Sequence, residues 1–225
     1  MPWIVTACLG GLTPTLQARP QVPPQASAPG TGSPALLDPA SPEWRLHAPE
    51  VFKARVETSK GAFVLEVHRA WAPLGADRFF NLARLGYYDD IRVTRVVAGR
   101  WAQFGINGHP TVAQVWREQR FDDDTPRRPN RRGYAAFAMA GPRDRTTQVY
   151  INLDDNEERL QGQGFAPFGR VVAGMDVVDS LYSGYGETAG GGIRGGKQGP
   201  LFEGGNAYID ATYPRLDRIV RVTIQ

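Results

Sequence analysis

The sequence is poor in the groups that most often carry metal or thiol chemistry. Its 225 residues hold one cysteine and three histidines. A lone Cys8 excludes an internal disulfide and a multi-thiolate metal site. His47, His68 and His109 are too scattered for zinc-ligand spacing. No apolar run approaches the ~20 residues of a membrane-spanning helix. The basic excess is small, 26 Lys and Arg against 23 Asp and Glu, a formal net charge of +3. Without a basic helix or interleaved aromatics it does not point to nucleic acid. Asp122-Asp123-Asp124 lack the spaced ligands and turn glycine of a calcium loop, and no repeat of fixed period is visible. The expectation is a protein that works without metal, cofactor, nucleic acid or reactive thiol.

Glycine and proline, by contrast, are abundant, at 26 and 18 residues. Gly190-Gly191-Gly192-Ile193-Arg194-Gly195 formally matches a dinucleotide motif, and Gly191 to Lys197 a phosphate loop. Neither has the context its chemistry needs. A helix-like run precedes them, Gly199-Pro200 follows, and Gln198 stands where a phosphate loop needs Ser or Thr for magnesium. No nucleotide is expected. Residues 1–47 are rich in Pro, Ala, Gly, Ser and Gln, with too few large apolar side chains to offset the entropy of ordering. They read as a disordered tether, and residues 48–225 as the folded domain.

Within that domain the pattern is one of short strands. Phe52–Val56 and Phe63–Val67 alternate around the turn signal Ser59-Lys60-Gly61. A helix follows, with Pro73 suited to its first turn, Phe79, Leu82 and Ala83 at helical spacing, and Gly86 as its stop. Further strands read at Arg92–Val97, Ala102–Ile106, Ala135–Ala140, Gln148–Leu153, Ala166–Val172 and Leu216–Ile224, with a short helix at Met175–Leu181. The stretches near 107–132 and 184–214 read as loop insertions. Many short strands with two helices predict a mainly β protein, a closed eight-stranded antiparallel barrel with two flanking helices.

One constellation carries chemistry. Alternation puts Val93, Arg95 and Val97 on one strand face, so an arginine occupies an apolar parity. Taken alone, such an arginine is also explained by an edge strand whose charge reaches solvent. Gln103 follows in Trp101-Ala102-Gln103-Phe104-Gly105. Ala138-Met139-Ala140 runs into a Gly141-Pro142 turn, and Gln148, Tyr150 and Asn152 share a face. The run Thr94–Gly105 resembles the cyclophilin segment around its essential arginine. Phe137-Ala138-Met139-Ala140-Gly141-Pro142 with Thr147-Gln148-Val149-Tyr150-Ile151-Asn152 resembles a second signature of that family. Gly164-Phe165-Ala166-Pro167-Phe168-Gly169-Arg170-Val171-Val172 with Gly174-Met175-Asp176-Val177-Val178 resembles a third. With the Phe79–Gly86 helix, the likeness spans about Phe52 to Ile224.

The resemblance implies a peptidyl-prolyl cis-trans isomerase that turns Xaa-Pro bonds in unfolded or partly folded polypeptides and assists their folding as a monomer. It makes Arg95 the catalytic residue. Gln103 and Gln148 would hold the substrate backbone, and Ala138 and Met139 would line the prolyl site. Tyr150 stands where phenylalanine is usual, Phe165 where many members have histidine, and Met139 where asparagine is common. Arg100-Trp101 replaces the usual Phe-Met, leaving Trp101 as an apolar wall. For the tryptophan that often borders the pocket, only Leu160 lies nearby. These departures leave a second reading open, a non-catalytic proline-peptide-binding or chaperone module on the same fold.

Val5-Thr6-Ala7-Cys8 resembles a bacterial lipobox. It implies a lipid anchor at Cys8 and a bacterial periplasmic or membrane-tethered protein. A chance match in a short Ala/Gly-rich stretch, and a cytoplasmic protein, is the alternative.

Overall fold

Alternation of apolar and polar residues builds the first two strands, β1 (Val51–Thr58) and β2 (Gly61–His68). Phe52, Ala54 and Val56 of β1 and Phe63, Leu65 and Val67 of β2 are buried on one face. The strands pair antiparallel from Val51↔His68 to Thr58↔Gly61, leaving Ser59-Lys60 as the loop. Gly61 closes it at φ +126°, a conformation that favours glycine. These coordinates are a computed structural model that describes residue 1 and residues 33–160, 162–191 and 197–225. Cys8, residue 161 and residues 192–196 lie outside the described residues.

Helix α1 (Pro73–Arg84) lays Ala76, Phe79, Leu82 and Ala83 on the sheet, where Phe79 meets Phe168 at 5.2 Å between ring centroids. Its Ala72 N-cap offers no side-chain acceptor. The cap arrives from far along the chain, because Asp124 accepts from the amides of Leu74 (3.0 Å) and Gly75 (2.8 Å). Two of the helix's orphan donors are thereby satisfied. At the other end Tyr87 N–H donates to Leu82 O and Gly86 N–H to Ala83 O, with Gly86 at φ +76°. That is the Schellman termination that the glycine predicts.

The remaining strands are β3 (Ile91–Arg92), β4 (Arg95–Val97), β5 (Trp101–Phe104), β6 (Tyr134–Phe137), β7 (Val149–Asn152), β8 (Pro167–Ala173) and β9 (Arg218–Ile224). With β1 and β2 they form one curled antiparallel sheet in the order β3-β9-β1-β2-β8-β6-β7-β5-β4. Among the described residues the strand count is nine, where eight were expected. The run expected as a single strand, Arg92–Val97, is broken at Val93-Thr94: the Val93 amide donates to Asp217 O, the last step of the β3–β9 register, and from Arg95 the chain pairs with β5 instead. This break shifts the phase of alternation. Val93 turns into the core with Val96, while Arg95 and Val97 face outward, so Arg95 does not sit at an apolar parity as expected.

Two stretches read as loop insertions contain helices. Residues 110–117 form α2 (Pro110–Arg117), and Gly199 to Thr212 form α5, so the described residues hold five α-helices rather than two. The others are α3 (Glu157–Leu160) and α4 (Met175–Asp179). Helices α2 and α5 pack together through Ala113, Leu201, Phe202 and Ile209, with Ile106 beside them, as a second small core. Helix α5 is broken at Gly205 (φ 53°), where a Cβ would lie 2.2 Å from Gly108 O. Helix α2 is only about two turns long, although Val112, Ala113 and Trp116 share its buried face, and the glycines of α5 dilute its periodic signal.

The tail also ends earlier than expected. Pro34–Leu37 and Pro42–Arg45 are 3-10 turns packed on the domain, with Ala35 and Leu36 buried. The Trp44 ring meets Trp116 edge-on at 4.3 Å, and Trp116 Nε1 donates to Leu36 O at 2.9 Å. Residues 33–47 therefore belong to the folded unit, because two indoles supply the burial that their small neighbours lack.

Candidate active site

Strand register assembles the site. Arg95 pairs with Gln103, Gln103 with Tyr150, and Tyr150 with Ala136, a row across β4, β5, β7 and β6. Flanking residues Ala102, Phe104, Val149 and Ile151 point into the core. The row therefore lies on the outer face.

One half of the site is a polar chain. Arg95 Nη1 donates to Gln103 Oε1 (2.8 Å), and Gln103 Nε2 to Gln148 Oε1 (2.9 Å). Gln148 Nε2 continues to Gln198 Oε1 (3.0 Å), and Gln198 Nε2 reaches Gly190 O (3.1 Å). The other edge of the guanidinium is taken by Glu187, with Nε to Oε2 at 2.7 Å and Nη2 to Oε1 at 2.9 Å. Arg95 Cζ lies 5.0 Å from the centre of the Trp101 ring. Cation–π attraction and two hydrogen-bonded flanks thus hold one side chain in one place.

The other half is an apolar cup. Ala136, Tyr150 and Leu160 are buried together, with Trp101, Ala138 and Phe165 around them. Tyr150 meets Phe165 edge-on at 5.7 Å and Trp101 at 6.5 Å. Its hydroxyl donates to Asn130 Oδ1 at 2.7 Å, and Asn130 Nδ2 donates to Phe165 O at 3.2 Å. Burial pushes the Tyr150 phenol well above its ordinary pKa, so it stays a neutral donor across the physiological range. Arg145, itself buried, donates to Gly164 O and pairs with Asp123, which fixes the segment leading into Phe165.

Between these halves lies a pocket of about 330 Å³. Arg95, Trp101, Gln103, Ala138, Met139, Tyr150, Leu160 and Phe165 all line it. Gln148 lines an adjoining hollow of about 290 Å³ that shares Arg95, Gln103, Ala138 and Met139. The sequence reading missed Glu187, Gln198 and Asn130. Glu187 and Gln198 sit in a glycine-rich stretch without periodicity, and Asn130 in an arginine-rich run that reads as solvated. Among the described residues no group of three or more His, Cys, Asp or Glu side chains converges for a metal.

Residues 53–192 match the family model described as cyclophilin type peptidyl-prolyl cis-trans isomerase/CLD. The chain belongs to the cyclophilin family. Peptidyl-prolyl cis-trans isomerase cyp18 of Streptomyces antibioticus is 31% identical over 137 residues, covering 56% of this chain and 80% of that protein. Peptidyl-prolyl cis-trans isomerase B of Escherichia coli K12 is 31% identical over 131 residues, covering 55% and 80%. A crystal structure of a Cryptosporidium parvum cyclophilin-type isomerase overlays with a TM-score of 0.55 at 20% identity, covering 78% of this chain and 98% of that one. The same protein in the presence of the dipeptide Ala-Pro gives 0.54 at 19% identity. The cyclophilin fold here thus carries the family's activity, that of a peptidyl-prolyl cis-trans isomerase. Helix α5 and strand β9 lie beyond the matched residues, although β9 is interior to the sheet.

Proposed function

We propose that Arg95 is the catalytic residue, that Gln103 and Gln148 hold the substrate backbone, and that Trp101, Ala138, Met139, Tyr150, Leu160 and Phe165 receive the proline ring. The observation that carries this reading is the pairing of a fixed guanidinium with an apolar cup across one small pocket. Rotation about an Xaa-Pro bond breaks no covalent bond, so no nucleophile is needed. The barrier is the amide resonance, roughly 18–20 kcal/mol. As the bond twists, the prolyl nitrogen becomes pyramidal and its lone pair is released. Arginine has five N–H donors, and Gln103 and Glu187 use three of them in Arg95, leaving one on each terminal nitrogen. A free donor that meets the lone pair does so in the twisted state and hardly at all in the planar one, the condition for lowering a barrier by differential binding. The cup keeps the ring still while the preceding residue turns, and displaces water that competes for the guanidinium.

The substrates in this reading are proline-containing unfolded or partly folded polypeptides, and the physiological role is assistance to protein folding by a monomer. We also read the sheet as closed. Strands β3 and β4 stand at opposite ends of its order yet are two residues apart in the chain, so counting them as one bent strand gives a barrel of eight. Lipidation at Cys8 would tether the domain to a bacterial membrane. Fractionation of the native protein tests it: a product wholly in the soluble cytoplasmic fraction, with Cys8 unmodified, rules the anchor out.

Catalysis is tested by replacing Arg95 with lysine, which keeps the charge and loses the planar fork. The expected result is a fall in kcat/KM for a short Xaa-Pro peptide of about a hundredfold, equivalent to ~2.7 kcal/mol of barrier. Unchanged turnover would remove Arg95 from the mechanism.

A further inference from the structure

The loop over Arg95 is anchored at several points. Tyr185 packs edge-on against Tyr182 (5.1 Å) and Tyr213 (5.2 Å), and Ala189 is buried. Gln198 holds Gly190 O, as described above. Gly190 lies so close to the arginine stem that a Cβ there would stand 2.6 Å from Arg95 Cβ and 3.0 Å from Cγ. Trp101 covers another side of the same side chain. Glu187 closes the arrangement by gripping the Nε–Nη2 edge with both carboxylate oxygens. Its side chain is 28% exposed and that of Arg95 14%, so the pair is largely shielded from water.

From this we infer that Glu187 is a positioning residue for the isomerase reaction, fixing Arg95 so that its two remaining donors face the prolyl nitrogen. The inference rests on Arg95 being the catalytic group. Two effects oppose one another in such a pair. A carboxylate neutralises the guanidinium and weakens its field. It also fixes the direction of the donors. The acceptor here is the lone pair of an amide nitrogen that carries no net charge, so a free cationic field has little to act on. Hydrogen bonds weaken steeply as they bend. Direction therefore outweighs field, and loss of Glu187 slows the reaction.

The test uses the full chain and measures kcat and KM separately on an Xaa-Pro peptide for wild type, Glu187→Ala, Glu187→Gln, Arg95→Ala and the double alanine variant. Misplaced groups lose rate without losing substrate, so Glu187→Ala is expected to lower kcat about tenfold with KM within about twofold. Glutamine keeps one accepting oxygen at the same reach, and its kcat falls only about threefold. In the Arg95→Ala background, Glu187→Ala has no further effect, because the two residues act as one unit. Wild-type or higher kcat in Glu187→Ala overturns the inference and makes the contact a brake. If the alanine variant does not fold, Glu187→Gln decides alone: a reduced kcat at unchanged KM supports the inference, and wild-type kcat refutes it. Full activity in Arg95→Ala would instead overturn the catalytic reading itself, a distinguishable failure.

Discussion

At the scale of single residues, the site depends on neighbours that never touch the pocket's centre. Asn130 is buried and accepts from the Tyr150 hydroxyl, while its own amide reaches the Phe165 carbonyl. Truncation to Asn130→Ala leaves that phenol buried without its acceptor, which costs about 1–3 kcal/mol. The expected result is a lower denaturant midpoint together with a raised KM, as the cup loosens; an unchanged midpoint would contradict the assigned bond. Arg95, Gln103 and Gln148 of the polar chain, and Trp101, Ala138, Tyr150, Leu160 and Phe165 of the cup, were legible as motifs along the sequence, because strand pairing brings short motifs together in register. Arg95 does not share a face with Val93, because the backbone break at Val93-Thr94 resets the alternation. Glu187, Gln198 and Asn130 were illegible for a different reason: each owes its position to long-range packing, and a polar residue in a polar loop has no pattern to stand out from.

Strands and helices follow the same division. Helix α1 is readable from its own sequence at both ends except for its cap, since the acceptor, Asp124, lies about fifty residues away. Helix α2 shows Val112, Ala113 and Trp116 at helical spacing but within two turns of a polar stretch, and glycine-rich α5 owes its helix to packing on it rather than to propensity. Their docking onto the sheet includes Arg92 of β3, which holds Asp210 of α5 through Nε (2.7 Å) and Nη2 (2.6 Å). That hydrogen bonding, opposed by burial, holds the Asp210 carboxyl below its ordinary range. Its unfolded value is about 3.9. A depressed folded pKa gives a contribution that is full above about pH 3.9 and is lost as pH falls through the folded value. Asp210→Asn removes that dependence. Its melting temperature is expected to lie below wild type at neutral pH and to converge with it in acid. A constant gap across the acid range would show that the carboxylate's ionisation is not what matters.

On the scale of the whole molecule, the unit that folds is larger than the part that carries the family signature. The match ends at residue 192, yet β9 lies between β3 and β1, and Trp44 packs on Trp116. The mainly β class was legible because alternation repeats in strand after strand. The extent of the domain was not, because composition alone marks a Pro- and Ala-rich segment as a tether, whereas one tryptophan near its end, Trp44, is enough to dock that end against Trp116. What this scaffold achieves is one fixed donor group beside one apolar cup. The most direct measurement is exchange between cis and trans forms of a short Xaa-Pro peptide, followed by NMR with catalytic amounts of wild type and of Arg95→Ala. The account predicts fast exchange with wild type, and in the variant near-uncatalysed exchange while peptide binding persists. Rapid exchange in the variant, or none in folded wild type that still binds peptide, would contradict it.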